Sequence, residues 1–226
     1  MIQLKAINAV ILDMDGTIFD MERLGVDKWI QAFGALGIPA PVKALHNKIG
    51  LSGKDSRRLM LEESVVDFDY DTVKKLKQRL TKEHIARFGT PIKEGFAELM
   101  EFLKNHSIKT AIATSRSREN TMYYLQHAGI NAENQFDAII TGDMIEKGKP
   151  HPDIFLLASR LLDDSPDHCL VVEDSINGIM AAASAEIRAV MIPDLVEPDE
   201  ELKKALYAMK DNLLGVIDVV CIANGY

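Results

Sequence analysis

Ala9-Val10-Ile11-Leu12 is an unbroken apolar run that stops at Asp13 and is followed by Met14, Asp15 and Gly16-Thr17. A short apolar run bounded by turn residues predicts a strand buried on both faces, as in a parallel sheet. The pattern then turns helical. Leu24, Trp29, Ile30, Phe33 and Leu36 form a stripe over Glu22 to Leu36, stopped by Gly37 and Pro39. Further helices are predicted over Val42 to Ile49, Lys54 to Ser64 and Asp69 to Phe88, with a Gly50-Leu51-Ser52-Gly53 turn after the first. No strand pattern appears from about residue 20 to residue 90. Trp29 and Phe33 suit the apolar core of this helical stretch, and Lys74 to Lys82 a solvated helix face.

Strand and helix alternate afterwards. Strands are predicted at Lys109 to Thr114, Phe136 to Thr141, His168 to Val172 and Ala189 to Ile192, with Val216 to Val220 as an edge strand. Helices are predicted over Glu94 to Asn105, Arg118 to Ala128, Pro152 to Leu162, Ser175 to Ser184 and Leu202 to Met209. Repeated strand-helix units imply an α/β fold with a doubly wound parallel sheet. The expected division is an α/β core of residues 1–19 and 91–226, with residues 20–90 inserted as a helical cap.

Composition narrows the partners. The chain has 226 residues and a formal net charge of −8, which argues against nucleic acid or an anionic membrane as main partner. No apolar stretch approaches the ~20 residues that span a bilayer. The two cysteines, Cys169 and Cys221, suit a reducing compartment better than a disulfide framework. A cytoplasmic monomer acting on a small molecule is the expectation.

The chemistry gathers at the strand ends. Asp13 and Asp15 follow the first strand and Thr114-Ser115 close the second. Lys149 lies beyond the third, and Glu173-Asp174 follow the fourth. In a parallel sheet all four share the edge at which ligands bind. Several carboxylates without clustered His or Cys make a hard oxygen site, suited to Mg²⁺ rather than zinc. A lysine, hydroxyls and helix-start N–H groups suit phosphate. Phosphoryl transfer needs charge neutralisation, an in-line nucleophile and a proton donor for the leaving oxygen. An aspartate can be that nucleophile, and Asp15 stands close enough to be the general acid/base. Taken singly, each feature has a plainer reading: a loop acid at Asp13, helix caps at Thr114-Ser115 and Asp174, a solvated Lys149.

The motifs DMDGT (Asp13 to Thr17), ATS (Ala113 to Ser115), GKPHPDIF (Gly148 to Phe155) and VVEDSINGI (Val171 to Ile179) occur in order, each after a strand. Together they resemble the haloacid dehalogenase-like superfamily, and within it the β-phosphoglucomutase-like phosphatases with a helical cap. The resemblance covers nearly the whole chain. It implies Asp13 as nucleophile and Asp15 as general acid/base. It also implies Thr114 and Ser115 as phosphoryl-oxygen contacts and Lys149 as the neutralising cation. Mg²⁺ would be held by Asp13, Asp174 and the Asp15 backbone, with Glu173 beside it. Gly16 and Arg116 are further candidate phosphate contacts, as are Gly50, Lys54 and Arg57 of the inserted stretch. The acid at Asp15 sets the chain apart from the dehalogenases, whose halide leaving group needs no proton.

Departures within the inserted stretch bear on the reaction. Around IGLSGKDS (Ile49 to Ser56) the mutases have an arginine that grips a second phosphate, where this chain has Gly53, and a cap histidine where it has Gly25. Loss of both favours hydrolysis, although Lys54, Arg57 and Arg116 could compensate. The expected function is therefore a Mg²⁺-dependent phosphatase for a small phosphomonoester such as a sugar phosphate. A phosphosugar mutase is the first alternative, and a non-catalytic phospho-acceptor module the second.

Overall fold

Every side chain of the first strand, β1 (Ala9–Leu12), is buried, because β1 is hydrogen-bonded to a parallel neighbour on each side. The computed structural model describes residues 5–47, 53–195 and 198–226. Its sheet contains β1, β2 (Lys109–Thr114), β3 (Ala138–Thr141), β4 (Cys169–Glu173), β5 (Arg188–Met191) and β6 (Ala208–Met209). All pairs are parallel and the order is β3-β2-β1-β4-β5-β6. Successive residues of β1 alternate between two cores. Val10 and Leu12 join Phe96, Leu99, Leu125 and Val216 on one face, whereas Ala9 and Ile11 join Ile154, Phe155 and Ile179 on the other. Helices α5 (Phe96–Asn105), α6 (Arg118–His127) and α11 (Leu214–Asn224) supply the first face. Helices α8 (Asp153–Leu161) and α9 (Ile176–Ser184) supply the second.

The stretch between β1 and α5 is helical, with α1 (Met21–Ala35), α2 (Val42–Asn47), α3 (Gly53–Glu62) and α4 (Tyr70–Phe88). These helices enclose their own apolar cluster of Trp29, Phe33, Leu45, Met60, Tyr70 and Val73. Trp29 packs against Tyr70 at 5.6 Å between ring centroids, and Phe33 meets Phe68 edge-on at 5.0 Å. Helix α4 begins where Asp69 accepts the Asp71 N–H at 3.0 Å, an N-cap. The chain enters and leaves this block side by side: Asp20 N–H donates to Pro91 O at 3.0 Å and Lys93 N–H to Ile18 O at 2.8 Å. The predicted turn at Gly50-Leu51-Ser52 lies outside the described residues.

Two expectations are corrected at the C-terminal end. Val216 to Val220 is not a strand but part of α11. Its buried residues are Val216, Val219 and Val220, at the i, i+3, i+4 spacing of a helix face, and that face covers the sheet. The helix predicted to reach Met209 ends earlier, as α10 (Glu200–Ala205), capped by the Asp199 carboxylate. Leu206 turns the chain, Tyr207 N–H pairs with Ala189 O, and Ala208–Met209 becomes the edge strand β6 instead. A single-turn helix, α7 (Ala132–Gln135), also went unanticipated. No helix of the described residues is long and apolar enough to cross a membrane.

Helix α11 also fastens the approach to β1. The Asn224 side chain accepts the Ile7 N–H at 2.7 Å and donates to Ile7 O at 2.9 Å, standing in for a strand partner. Ile7 is only 1% exposed, so Asn224→Ala leaves two buried backbone groups unpaired. The expected cost is about 1–3 kcal/mol, read as a lower urea midpoint with an unchanged slope. An unaltered midpoint would show that this clasp contributes nothing.

Candidate active site

β1 lies at the centre of the sheet, so its C-terminal end is flanked by the ends of β2 and β4. Asp13 N–H donates to Val172 O at 2.9 Å, extending the β1–β4 ladder by one residue and holding Asp13 beside Glu173. Lys149, on the loop between β3 and α8, reaches under both. Its ammonium bonds Asp13 Oδ1, Glu173 Oε1 at 2.6 Å and Ala113 O at 3.1 Å, and sits 5.0 Å from the centroid of the Phe155 ring. Asp13 is 7% exposed, Asp174 6% and Glu173 0%.

Glue between β4 and α9 comes from Glu173. Its Oε2 accepts from Asp174 N at 2.9 Å and from both the N–H and the hydroxyl of Ser175 at 2.8 Å, while Ser175 Oγ caps α9 by accepting Gly178 N–H. This packing demands a glycine at 178, where a Cβ would lie 1.8 Å from Glu173 Oε1. Gly16 is required twice over. Its φ of +91° is a left-handed conformation, and a Cβ there would approach Asp174 Oδ2 to 2.0 Å. Thr17 Oγ1 donates to Asp174 Oδ1 at 3.4 Å from the same turn.

Asp15 leans away from Lys149 toward the β2 end. Its Oδ2 accepts from Arg116 Nε at 2.6 Å. Thr114 is buried at the end of β2, with its hydroxyl accepting the Arg116 N–H at 3.2 Å. Ser115 is exposed at the same turn.

The charges do not balance. Asp13, Glu173 and Asp174 each place a carboxylate oxygen within 4.8 Å of the others, and among the described residues the cation paired with them is Lys149, on Asp13 and Glu173. Burial pushes the Asp13 carboxyl up from 3.8 to about 8; Lys149 opposes this, and Glu173 and Asp15 add to it. Asp174 is raised for the same reasons, burial first, then Glu173, Asp13 and Glu22. Burial by itself would lower Lys149, yet Asp13 and Glu173 outweigh it and hold the ammonium above the usual lysine range. Crowded buried carboxylates of this kind favour protonation or the approach of a further positive charge.

The structure thus gathers Asp13, Asp15, Gly16, Thr114, Ser115, Arg116, Lys149, Glu173 and Asp174 at one edge. Two candidates from the helical block have other surroundings. Arg57 pairs with Asp71 at 3.0 Å and stacks 5.1 Å over Tyr70, and Lys54 is exposed at the start of α3. Gly50 lies outside the described residues. Sequence reasoning passed over Ser175 and Gly178, although both stand in the VVEDSINGI motif. It also passed over Glu22, in the first turn of α1, whose charge acts on Asp174 and Arg116. Its nearness in sequence to the β1 end was the available signal. A cavity of about 760 Å³ lies at the opposite end of β2, lined by Phe96, Met100, Ile108 and Phe136, and shares none of these acids.

Known proteins resemble the chain over most of its length. The chain is 32% identical over 185 residues to a phosphorylated carbohydrates phosphatase of Thermotoga maritima, covering 80% of this chain and 83% of that one. A provisionally assigned β-phosphoglucomutase of the same organism superposes with a TM-score of 0.78 at 26% identity, over 95% and 98% of the two chains. CbbY from Rhodobacter sphaeroides, crystallised with xylulose-(1,5)bisphosphate, superposes with a TM-score of 0.74 at 27% identity, over 92% and 95%. The profile of the haloacid dehalogenase-like hydrolases matches residues 7–186, and the chain belongs to that family.

Proposed function

We propose that this hydrolase is a Mg²⁺-dependent phosphatase that cleaves a small sugar phosphate through an aspartyl-phosphate on Asp13. The observation that carries the reading is the pair of acids with opposite surroundings. Asp13 is bound to Lys149 among carboxylates, and Asp15 is bound to Arg116 on the other side of the turn. The relatives named for carbohydrate phosphates, and the CbbY complex with a bisphosphorylated sugar, support the substrate class.

The carboxylate cluster fits a hard divalent cation. Its donors are all oxygen, it is short of positive charge, and Gly16 leaves the space into which the Asp174 carboxylate extends. Asp13, Asp174 and the Asp15 carbonyl would hold the ion, which supplies charge neutralisation for the phosphoryl oxygens. Glu173 fits a supporting part better, because both its oxygens are already taken by Lys149, Asp174 N and Ser175. Asp13 attacks phosphorus as the phosphorus–oxygen bond to the sugar breaks, and Asp15 gives its proton to the departing oxygen. Water then attacks the aspartyl-phosphate, its proton passes to Asp15, and Asp13 is released with inorganic phosphate. Thr114 and the Ser115 backbone contact the phosphoryl oxygens, and Lys149 keeps Asp13 oriented.

Residues 20–90 act as a cap over a core of residues 1–19 and 91–226, with the paired crossings at Asp20 and Lys93 as its hinge. The cap excludes water on closing and reads the sugar. Hydrolysis is favoured over mutase action because Arg57, a candidate to grip a second phosphate, is already paired with Asp71. Cys169 and Cys221 as free thiols support a reducing compartment such as the cytosol.

Asp13→Asn is expected to lower phosphate release from sugar phosphates by roughly 10⁴-fold or more with folding intact. Turnover near that of the parent chain would remove Asp13 as nucleophile. Offered β-glucose 1-phosphate, the enzyme should yield free phosphate; glucose 6-phosphate as product would favour the mutase.

The carboxyl cluster predicts a pH dependence of stability. In the metal-free fold Asp13 keeps its proton up to about 8, whereas an unfolded aspartate loses it near 3.8. Between those values the folded state binds more protons than the unfolded one, so raising the pH destabilises it. In chelator, the urea midpoint should therefore fall from about pH 5 to about pH 8. Excess Mg²⁺ should raise it, most at the alkaline end, since it binds the deprotonated carboxylates. A midpoint that climbs with pH in chelator would contradict this account.

A further inference from the structure

Arg116 carries a formal positive charge beside a phosphate site, yet its guanidinium is already engaged. Nε donates to Asp15 Oδ2 at 2.6 Å, Nη1 donates to the Tyr124 hydroxyl at 3.3 Å, and the guanidinium carbon lies 4.5 Å from the Tyr124 ring centroid. Its backbone is pinned at both ends, by Thr114 Oγ1 on the N–H and by Gly142 N–H on the carbonyl at 2.7 Å. Gly142 is itself constrained, since a Cβ there would fall 2.4 Å from Ser115 O. Asp15 Oδ1, by contrast, is buried and has no hydrogen-bond partner among the described residues.

We propose that Arg116 is a positioning residue for Asp15: it holds one carboxylate oxygen so that the other is presented for proton exchange with the leaving group. The inference rests on Asp15 being the general acid/base. A planar guanidinium stacked on a fixed ring donates from Nε along one direction, which sets the orientation of the carboxylate rather than only its charge. Two states of one side chain are thereby served by one geometry. Asp15 gives its proton to the sugar oxygen as the phosphorus–oxygen bond breaks and the electron pair goes to that oxygen. The same oxygen of Asp15 receives a proton when water attacks the aspartyl-phosphate. Tyr124, on α6, is the platform that keeps the guanidinium from turning toward solvent or substrate phosphate.

The test exploits leaving groups. A sugar alkoxide needs a proton to depart, and p-nitrophenolate does not. kcat/KM reports the steps through the first irreversible one, the departure of that group. Arg116→Ala should lower kcat/KM by about 10- to 100-fold for a sugar phosphate that the parent chain hydrolyses, the scale of a misplaced catalytic group. For p-nitrophenyl phosphate the loss in kcat/KM should be under about threefold, and KM should rise for neither substrate. Arg116→Lys, which keeps charge without the stacked fork, should recover only part of the loss. Adding Arg116→Ala to Asp15→Ala should cost nothing more, since the arginine acts through the acid. Arg116→Gln repeats each measurement should the alanine variant misfold.

A raised KM on both substrates, or additive losses in the double variant, would overturn the positioning role and return Arg116 to phosphate binding. If Asp15→Ala alone lowers kcat/KM equally for both substrates, Asp15 is not the acid; the proposal then falls with that assignment, whatever Arg116 does.

Discussion

Three buried carboxylates around a single ammonium are the constraint on which the rest of this structure depends. Asp13, Glu173 and Asp174 would repel one another in a low dielectric, and Lys149 offsets only part of that. The fold answers by spreading hydrogen-bond donors over Glu173 from the following turn, and by clearing space with Gly178 and Gly16 so that the carboxylates need not crowd further. What is left over is a net demand for positive charge, which suits the cluster to a hard cation.

The sheet order makes this cluster possible. With β1 between β2 and β4, the end of one strand is hydrogen-bonded to both others, and the acids arrive on neighbouring strands rather than through long loops. Two apolar cores, one on each face, fix those strand ends in register. Lys149 comes from a loop, but its ammonium is tied to Ala113 O at the end of β2. A loop residue so anchored shares the rigidity of the sheet, as a group that must meet a carboxylate in one orientation requires.

The sequence made the strand ends legible because a parallel strand buried on both faces cannot hide: Ala9 to Leu12 and Leu170 to Val172 are apolar without a break, and the polar residue that ends each is therefore conspicuous. The C-terminal region was less legible. Val216-Ile217-Asp218-Val219-Val220 is rich in β-branched residues, but three of them fall on one helical face that the sheet needed covering, and tertiary burial overrode propensity. The two-residue strand β6 is too short to carry any period. In the site, the charged residues at the strand ends stand out in the sequence, whereas Glu22 and Gly178 do not. Gly178 has no side chain to suggest chemistry, and its importance appears only when a Cβ is placed beside Glu173.

Cations show the same limit from the other side. Arg57, Arg116 and Lys149 look alike in the sequence, each a basic residue near a phosphate motif. Their partners separate them. Arg57 is held by Asp71 and Tyr70 within the helical block, Lys149 by Asp13 and Glu173 at the ends of β1 and β4, and Arg116 by Asp15 and Tyr124 at the end of β2. A positive charge already paired in the fold does less to attract a substrate than to fix the acid it is paired with. Counting basic residues therefore overstates the positive charge such a site has free for an anion, and understates how firmly it orients Asp13 and Asp15.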